Sequence, residues 1–138
     1  MSSLTEIQFF LEEQIGVYPS NPTADIFLDL GVVGDDFSEM MLAYAEKYQV
    51  NMENYLWYFH HDEEGQNLGG LFFKPPHQRV ERIPITPELL ARCTQTKKWE
   101  MDYPEHDIPG QRLDLRINQV IFFGTVAGII TWLILKLT

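Results

Sequence analysis

The chain has 138 residues, 45% hydrophobic and 13% aromatic, which is enough for one domain with a real core and a short appendage; disorder is excluded as the default. The net charge of −10 is uneven: residues 1–64 hold 13 acids and one base, a net of −12, and residues 65–138 hold 7 acids and 9 bases, a net of +2. An acidic front half argues against nucleic acid, which needs Lys and Arg to replace counterions, and suits either solubility or a basic protein partner.

Ser2 and Ser3 lead into acids rather than into a basic and then apolar stretch, so no signal peptide is expected. Ser3 and Glu6 have capping-box spacing, and Leu4, Ile7, Leu11 and Ile15 recur at helical intervals. A first helix is predicted over 4–15, ended by Gly16, with Pro19 and Pro22 forbidding its continuation. Residues 16–34 read as a long loop anchored by Ile26, Phe27, Leu28 and Leu30, with Gly31 and Gly34 at turns.

A second helix is predicted from Asp35 or Asp36, either of which suits the cap and the positive end of the helix dipole. Phe37, Met40, Met41, Tyr44 and Tyr48 make one apolar face, better suited to core packing than to a ligand groove. Residues 53–61, ENYLWYFHH, are either helical or extended; the run is too short for periodicity to decide. A polar break follows at Asp62–Asn67, and Leu71–Phe73 and Arg79–Ile83 suit extended backbone. Thr86 caps a further helix with Pro87 at its first position; Leu89, Leu90 and Cys93 give it an apolar side, and Trp99 closes the core. Asp102–Gly110 reads as a linker.

Residues 117–135, INQVIFFGTVAGIITWLIL, carry no charge. Nineteen helical residues span about 28 Å at ~1.5 Å each, close to a ~30 Å hydrocarbon core. Arg112 and Arg116 precede the stretch and only Lys136 follows it, a bias that keeps the N-terminal domain in the cytoplasm. Position near the chain end implies a tail anchor. Gly124 and Gly128 share one helix face, and such a pair lets two helices approach closely, so a homodimer through this helix is an open reading.

Little in the chain suggests catalysis. His60, His61, Asp62, Glu63 and Glu64 invite a metal reading, but adjacent histidines diverge, and a solvated polar loop is simpler. Cys93 lies on an apolar helix face and reads as a buried thiol; as the only cysteine it closes no internal disulfide and fits a reducing compartment. Phosphate-loop, dinucleotide and hydrolase motifs are missing, so the protein is not expected to be an enzyme.

The stretch Asp29–Tyr48, DLGVVGDDFSEMMLAYAEKY, resembles the central segment of acyl carrier proteins: an Asp-Leu-Gly, a short turn, then an acidic amphipathic helix. It resembles more closely the DUF1493 family, small bacterial proteins of unassigned function with acyl-carrier-like character, whose turn commonly reads Gly-Asp-Asp, here Gly34-Asp35-Asp36. Ile85–Trp99, ITPELLARCTQTKKW, resembles that family's last helix and closing Trp. The resemblance covers roughly residues 4–100. It implies an acyl-carrier-like helical bundle whose second helix docks partners through Asp35, Asp36, Glu39 and Glu46.

One departure bears on chemistry. A working carrier has a serine at the start of this helix to hold 4′-phosphopantetheine; aligned without a gap, that place is Gly34, and Asp35 and Asp36 cannot receive the arm. Ser38, about one turn into the helix, is the displaced alternative. A second departure is the long insert over 55–84, for which a small β-hairpin is expected.

The expected architecture is therefore mainly α: an acyl-carrier-like domain over 1–101, a linker over 102–116 and a transmembrane helix over 117–136. The expected function is a membrane-tethered acidic interaction module without a cofactor, binding a basic protein at the bacterial inner membrane from the cytoplasmic side. The alternatives are a carrier primed at Ser38 and a structural membrane protein that oligomerises through its transmembrane helix.

Overall fold

The computed structural model describes residues 3–138 and contains four α-helices: α1 (Leu4–Ile15), α2 (Gly34–Tyr48), α3 (Pro87–Thr96) and α4 (Leu113–Leu137). Met1 and Ser2, part of the domain expected over 1–101, lie outside the described residues.

The helix ends follow local chemistry. Ser3 Oγ accepts the Glu6 N–H at 3.2 Å, and Gly16, at φ +76°, returns its N–H to the Glu12 carbonyl. Thr86 Oγ1 accepts the Leu89 N–H, with Pro87 in the first turn of α3. Both helices bury one face against α2: Ile7, Phe10 and Leu11 from α1, and Leu89, Leu90 and Cys93 from α3, meet Phe37, Met40, Met41, Tyr44 and Tyr48. The apolar stripe of α2 is thus core. Tyr44 Oη donates to the Leu90 carbonyl at 2.7 Å, which satisfies a buried hydroxyl and pins α2 to α3. Ile26 is fully buried beneath the loop before α2, but Leu28, expected as an anchor, is 68% exposed. Asp25 turns the loop there, its carboxylate accepting the Phe27 N–H and pairing with Arg82.

The insert over 55–84 corrects the expected hairpin. It holds single 3-10 turns at Trp57–Phe59, Leu68–Leu71 and Pro76–Gln78, and among the described residues there is no strand, only an isolated bridge between Asn51 and Lys98. Gly65, Gly69, Gly70, Pro75 and Pro76 break the middle of the insert, and prolines donate nothing to a ladder.

Tyr103 ties the segment after Trp99 back to this insert. His60 Nδ1 donates to the Ile83 carbonyl at 2.8 Å, so its Nε2 is left to accept from Tyr103 Oη at 2.7 Å. The same phenol oxygen accepts the Trp99 Nε1–H at 2.9 Å and the Leu56 N–H at 3.2 Å. Three polar groups, from Leu56, His60 and Trp99, are satisfied at one atom.

Helix α4 runs 25 residues, about 37 Å at ~1.5 Å each. By length and composition it can cross a membrane: its most apolar 18 residues have mean hydropathy 2.1, and none is buried. Its first turns are seated on the 3-10 turn Leu68–Leu71. Asn118 Oδ1 accepts the Gly69 N–H at 2.7 Å, and Asn67 Nδ2 donates to Asp114 at 2.8 Å. Gly69 is required, since a Cβ there would strike the Asp114 carbonyl. Asp114 is buried beside Arg112, whose guanidinium holds its carboxyl well below the usual carboxylate range. Arg112 also grips Glu63 through two bonds of 2.9 and 2.7 Å.

Candidate functional site

The start of α2 is where the sequence concentrates its candidate residues, and the structure sorts them. The residue before the helix, Val33, is extended and offers no side-chain cap. The capping role expected of Asp35 or Asp36 falls instead to Asp62, 28 residues away, whose Oδ1 accepts the Gly34 N–H at 2.9 Å. Gly34 is buried with φ +52°, a conformation L side chains resist, and the Glu64 side chain occupies the place a Cβ would take. A serine at this position meets both strain and steric conflict.

The insert is fixed to this helix start by its histidines. His61 is buried and stacks on Phe37 with ring centroids 5.0 Å apart, and its Nδ1 donates to the Asp62 carbonyl at 2.8 Å. Burial lowers its pKa. His60 is buried in the Tyr103 network, where burial pulls its pKa down to about 4. The solvated loop expected over this run therefore begins only at Glu63; residues 60–62 are packed.

Three of the four acids named as a docking face share one stripe. At about 100° per residue, Asp35, Glu39 and Glu46 lie within some 40° of each other, and Asp36 stands at the edge. All four are exposed. Asp36 and Glu39 line a groove of about 250 Å³ with Gln14, Ile15, Leu30 and Gly31. Asp35, at the edge of the stripe away from Asp36, also borders a cleft of about 400 Å³ with Glu63 and Glu64 that reaches Leu115 and Asn118 at the base of α4. Leu42, absent from the sequence-based candidates, is 68% exposed at the edge of the acidic stripe, between Glu39 and Glu46 along the helix. Its position seven residues after Asp35 was the available signal.

Ser38 is half-buried in a recess of about 240 Å³ shared with Asp35, Trp57, His61, Asp62 and Glu63. Three carboxylates around that hydroxyl oppose a phosphodiester by like charge. Cys93 is fully buried, and burial pushes its thiol pKa up, away from nucleophilic use. Gly124 and Gly128 lie exposed on α4 with no heavy atom near where a Cβ would stand, so that face is open to a second helix.

The basic residues of the second half are partly consumed by structure: Arg82 by Asp25, Arg112 by Glu63 and Asp114, and Lys97 by the Tyr48 carbonyl. Among the described residues the four acids of the α2 stripe have no ion-pair partner, and Lys47 of the same helix pairs with Glu13 of α1. No protein-family model, curated protein or solved structure matches this chain.

Proposed function

We propose that α1–α3 form an acyl-carrier-like module of the DUF1493 kind, held at a bacterial inner membrane by α4, which binds a basic protein through α2 and carries no phosphopantetheine. The observation that carries this reading is the pairing of an exposed acidic stripe, edged by the exposed Leu42, with a helix start closed by Asp62 and Glu64. The stripe keeps the partner-facing half of a carrier. The closed start removes the place where the arm would be attached. An apolar residue flanked by Glu39 and Glu46 suits docking, since the acids steer the approach and the leucine is desolvated on contact. The cytoplasmic orientation rests on Arg112 and Arg116 before the span against Lys136 alone after it.

The test is partner capture from detergent-solubilised membranes. Glu39→Lys with Glu46→Lys should lose the partner, Glu39→Gln with Glu46→Gln should weaken it, and added salt should weaken the wild type, because exposed charges are screened beyond ~8–10 Å. Neither site lies in the first turn of α2, so the helix-dipole contribution there is untouched. Capture that is insensitive to salt and unchanged by charge reversal would leave these acids as solubility residues.

A further inference from the structure

The middle of the insert carries an apolar patch that neither the core nor the docking stripe uses. Leu71 is 82% and Phe72 71% exposed, and Leu68 and Phe73 are also exposed. Patches of this kind on a small acidic domain mark a contact with something apolar. Two observations say what covers this one. First, the turn that bears it is hydrogen-bonded to the helix at a fixed height: the Gly69 N–H reaches Asn118, the second residue of the charge-free stretch. If that stretch crosses a bilayer, the turn sits where the hydrocarbon begins, and Leu68, Leu71 and Phe72 stand at headgroup level beside α4. Second, Lys74 and Arg79 follow the patch and Arg116 lies on the first turns of α4, all three exposed. This is a basic rim in an otherwise acidic protein, the arrangement that suits anionic headgroups.

We infer that Leu68–Phe73 is a membrane foot: its leucines and phenylalanines insert into the interface of an anionic bilayer beside α4 and, with that helix, set the orientation of the domain on the surface. A single spanning helix leaves a domain free to swivel and tilt. A second apolar contact, braced to the helix by Asn67, Gly69, Asp114 and Asn118, removes that freedom and presents the α2 stripe in one direction. The inference rests on the reading of α4 as a membrane span, and the experiment separates the two.

Single cysteines are placed at Leu71, Phe72, Leu42 and Ala127 in the full chain, spin-labelled, and reconstituted in nanodiscs of phosphatidylcholine and phosphatidylglycerol in equal parts. Cys93 is fully buried and stays unlabelled in the native protein, which the mass of the treated wild type verifies. Collisions with oxygen and with a water-soluble nickel chelate then report depth. The Ala127 label should lie in mid-bilayer and the Leu42 label in water. Labels at 71 and 72 should lie within about 5–10 Å of the headgroup–acyl boundary. A deep label at 127 with aqueous labels at 71 and 72 overturns the foot and leaves the span standing. A water-exposed label at 127 overturns both. Labels at 71 and 72 shielded from both reagents and broadened by a neighbouring label place a second copy over the patch, and the lipid assignment falls.

Discussion

The bundle of α1–α3 and the seat of α4 are held by opposite means. In the bundle, Ile7, Phe10, Phe37, Met40, Tyr44 and Leu90 are buried against one another, and shape with apolar area does the work. In the seat, Asn67, Arg112, Asp114 and Asn118 exchange side-chain hydrogen bonds over a glycine, with little apolar surface between them. Apolar packing is tolerant of detail and cooperative across a domain. A polar seat is local and directional, and it fails one bond at a time. The first kind suits a scaffold, the second a joint that sets the scaffold against α4.

The sharpest way to break the comparison is to damage each side once. Phe37→Ala removes a fully buried ring and should cost about 3–5 kcal/mol, the range for large-to-alanine core changes. Denaturant titration of the detergent-solubilised chain should show it, and hydrogen exchange should rise throughout α1–α3. Gly69→Val, by contrast, drives a side chain into the Asp114 carbonyl. Overpacking costs about 1–3 kcal/mol, so amides near 69 and 114 should exchange roughly 5–150-fold faster while those of α2 keep their protection. If Gly69→Val unprotects α2 as well, the seat and the bundle are one cooperative unit and the contrast is wrong.

A pH series tests the insert that joins them. Burial is the main reason His60 has its pKa lowered to about 4, and the charges of His61 and Arg82 add to it, while the bond to Ile83 opposes it. The unfolded chain titrates near 6.5, so between about 6.5 and about 4 it binds more protons than the folded one. Stability therefore falls as pH drops through that window, by up to about 3 kcal/mol, and the loss is complete below it. Asp114 acts at lower pH: its carboxyl is held down by Arg112, so its contribution is lost only as pH falls below the ordinary carboxylate range. Urea midpoints taken from pH 7 to pH 4 should slope for the wild type. They should flatten in His60→Gln, which starts less stable; equal slopes would assign the effect elsewhere.

What was legible in the sequence follows the same division. The spacing of Leu4, Ile7 and Leu11, the caps Ser3 and Thr86, and the stripe from Phe37 to Tyr48 all act within one or two turns of helix, and each is visible locally. The apolar run of α4 is visible for the same reason. The insert was not legible, because its ordering comes from partners far along the chain: Asp62 with Gly34, His60 with Tyr103, Asn67 with Asp114. A run reading HHDEE has the composition of a solvated loop, and only the stacking of His61 on Phe37 and the burial of His60 make it a wall of the domain. Leu42 escaped for the opposite reason: a leucine on a helix defaults to the core in any pattern reading, and its exposure shows only once Phe37, Met40, Met41 and Tyr44 have filled the buried face.

The smallest expected effect concerns Asp62, where the two regions meet. Its carboxylate accepts the Gly34 N–H and faces the positive end of the α2 dipole. Asp62→Ala leaves that donor to water and should cost ~0.5–2 kcal/mol, the range for loss of a helix cap. Asp62→Asn keeps an oxygen acceptor but loses the charge, so it should recover the hydrogen bond and forfeit only the dipole interaction, ~0.3–1 kcal/mol. The order wild type, Asn, Ala in thermal midpoint would assign Asp62 a capping role. The order has a second readout that a merely solvating aspartate would not give. The Gly34 amide, deprived of its acceptor in Asp62→Ala, should exchange faster than the neighbouring amides of α2, while Asp35→Ala, whose carboxylate is exposed on the stripe, should leave it unchanged. If Asp35→Ala and Asp62→Ala affect that amide equally, the cap is shared within α2 itself, and the insert is only laid against the helix rather than closing its end.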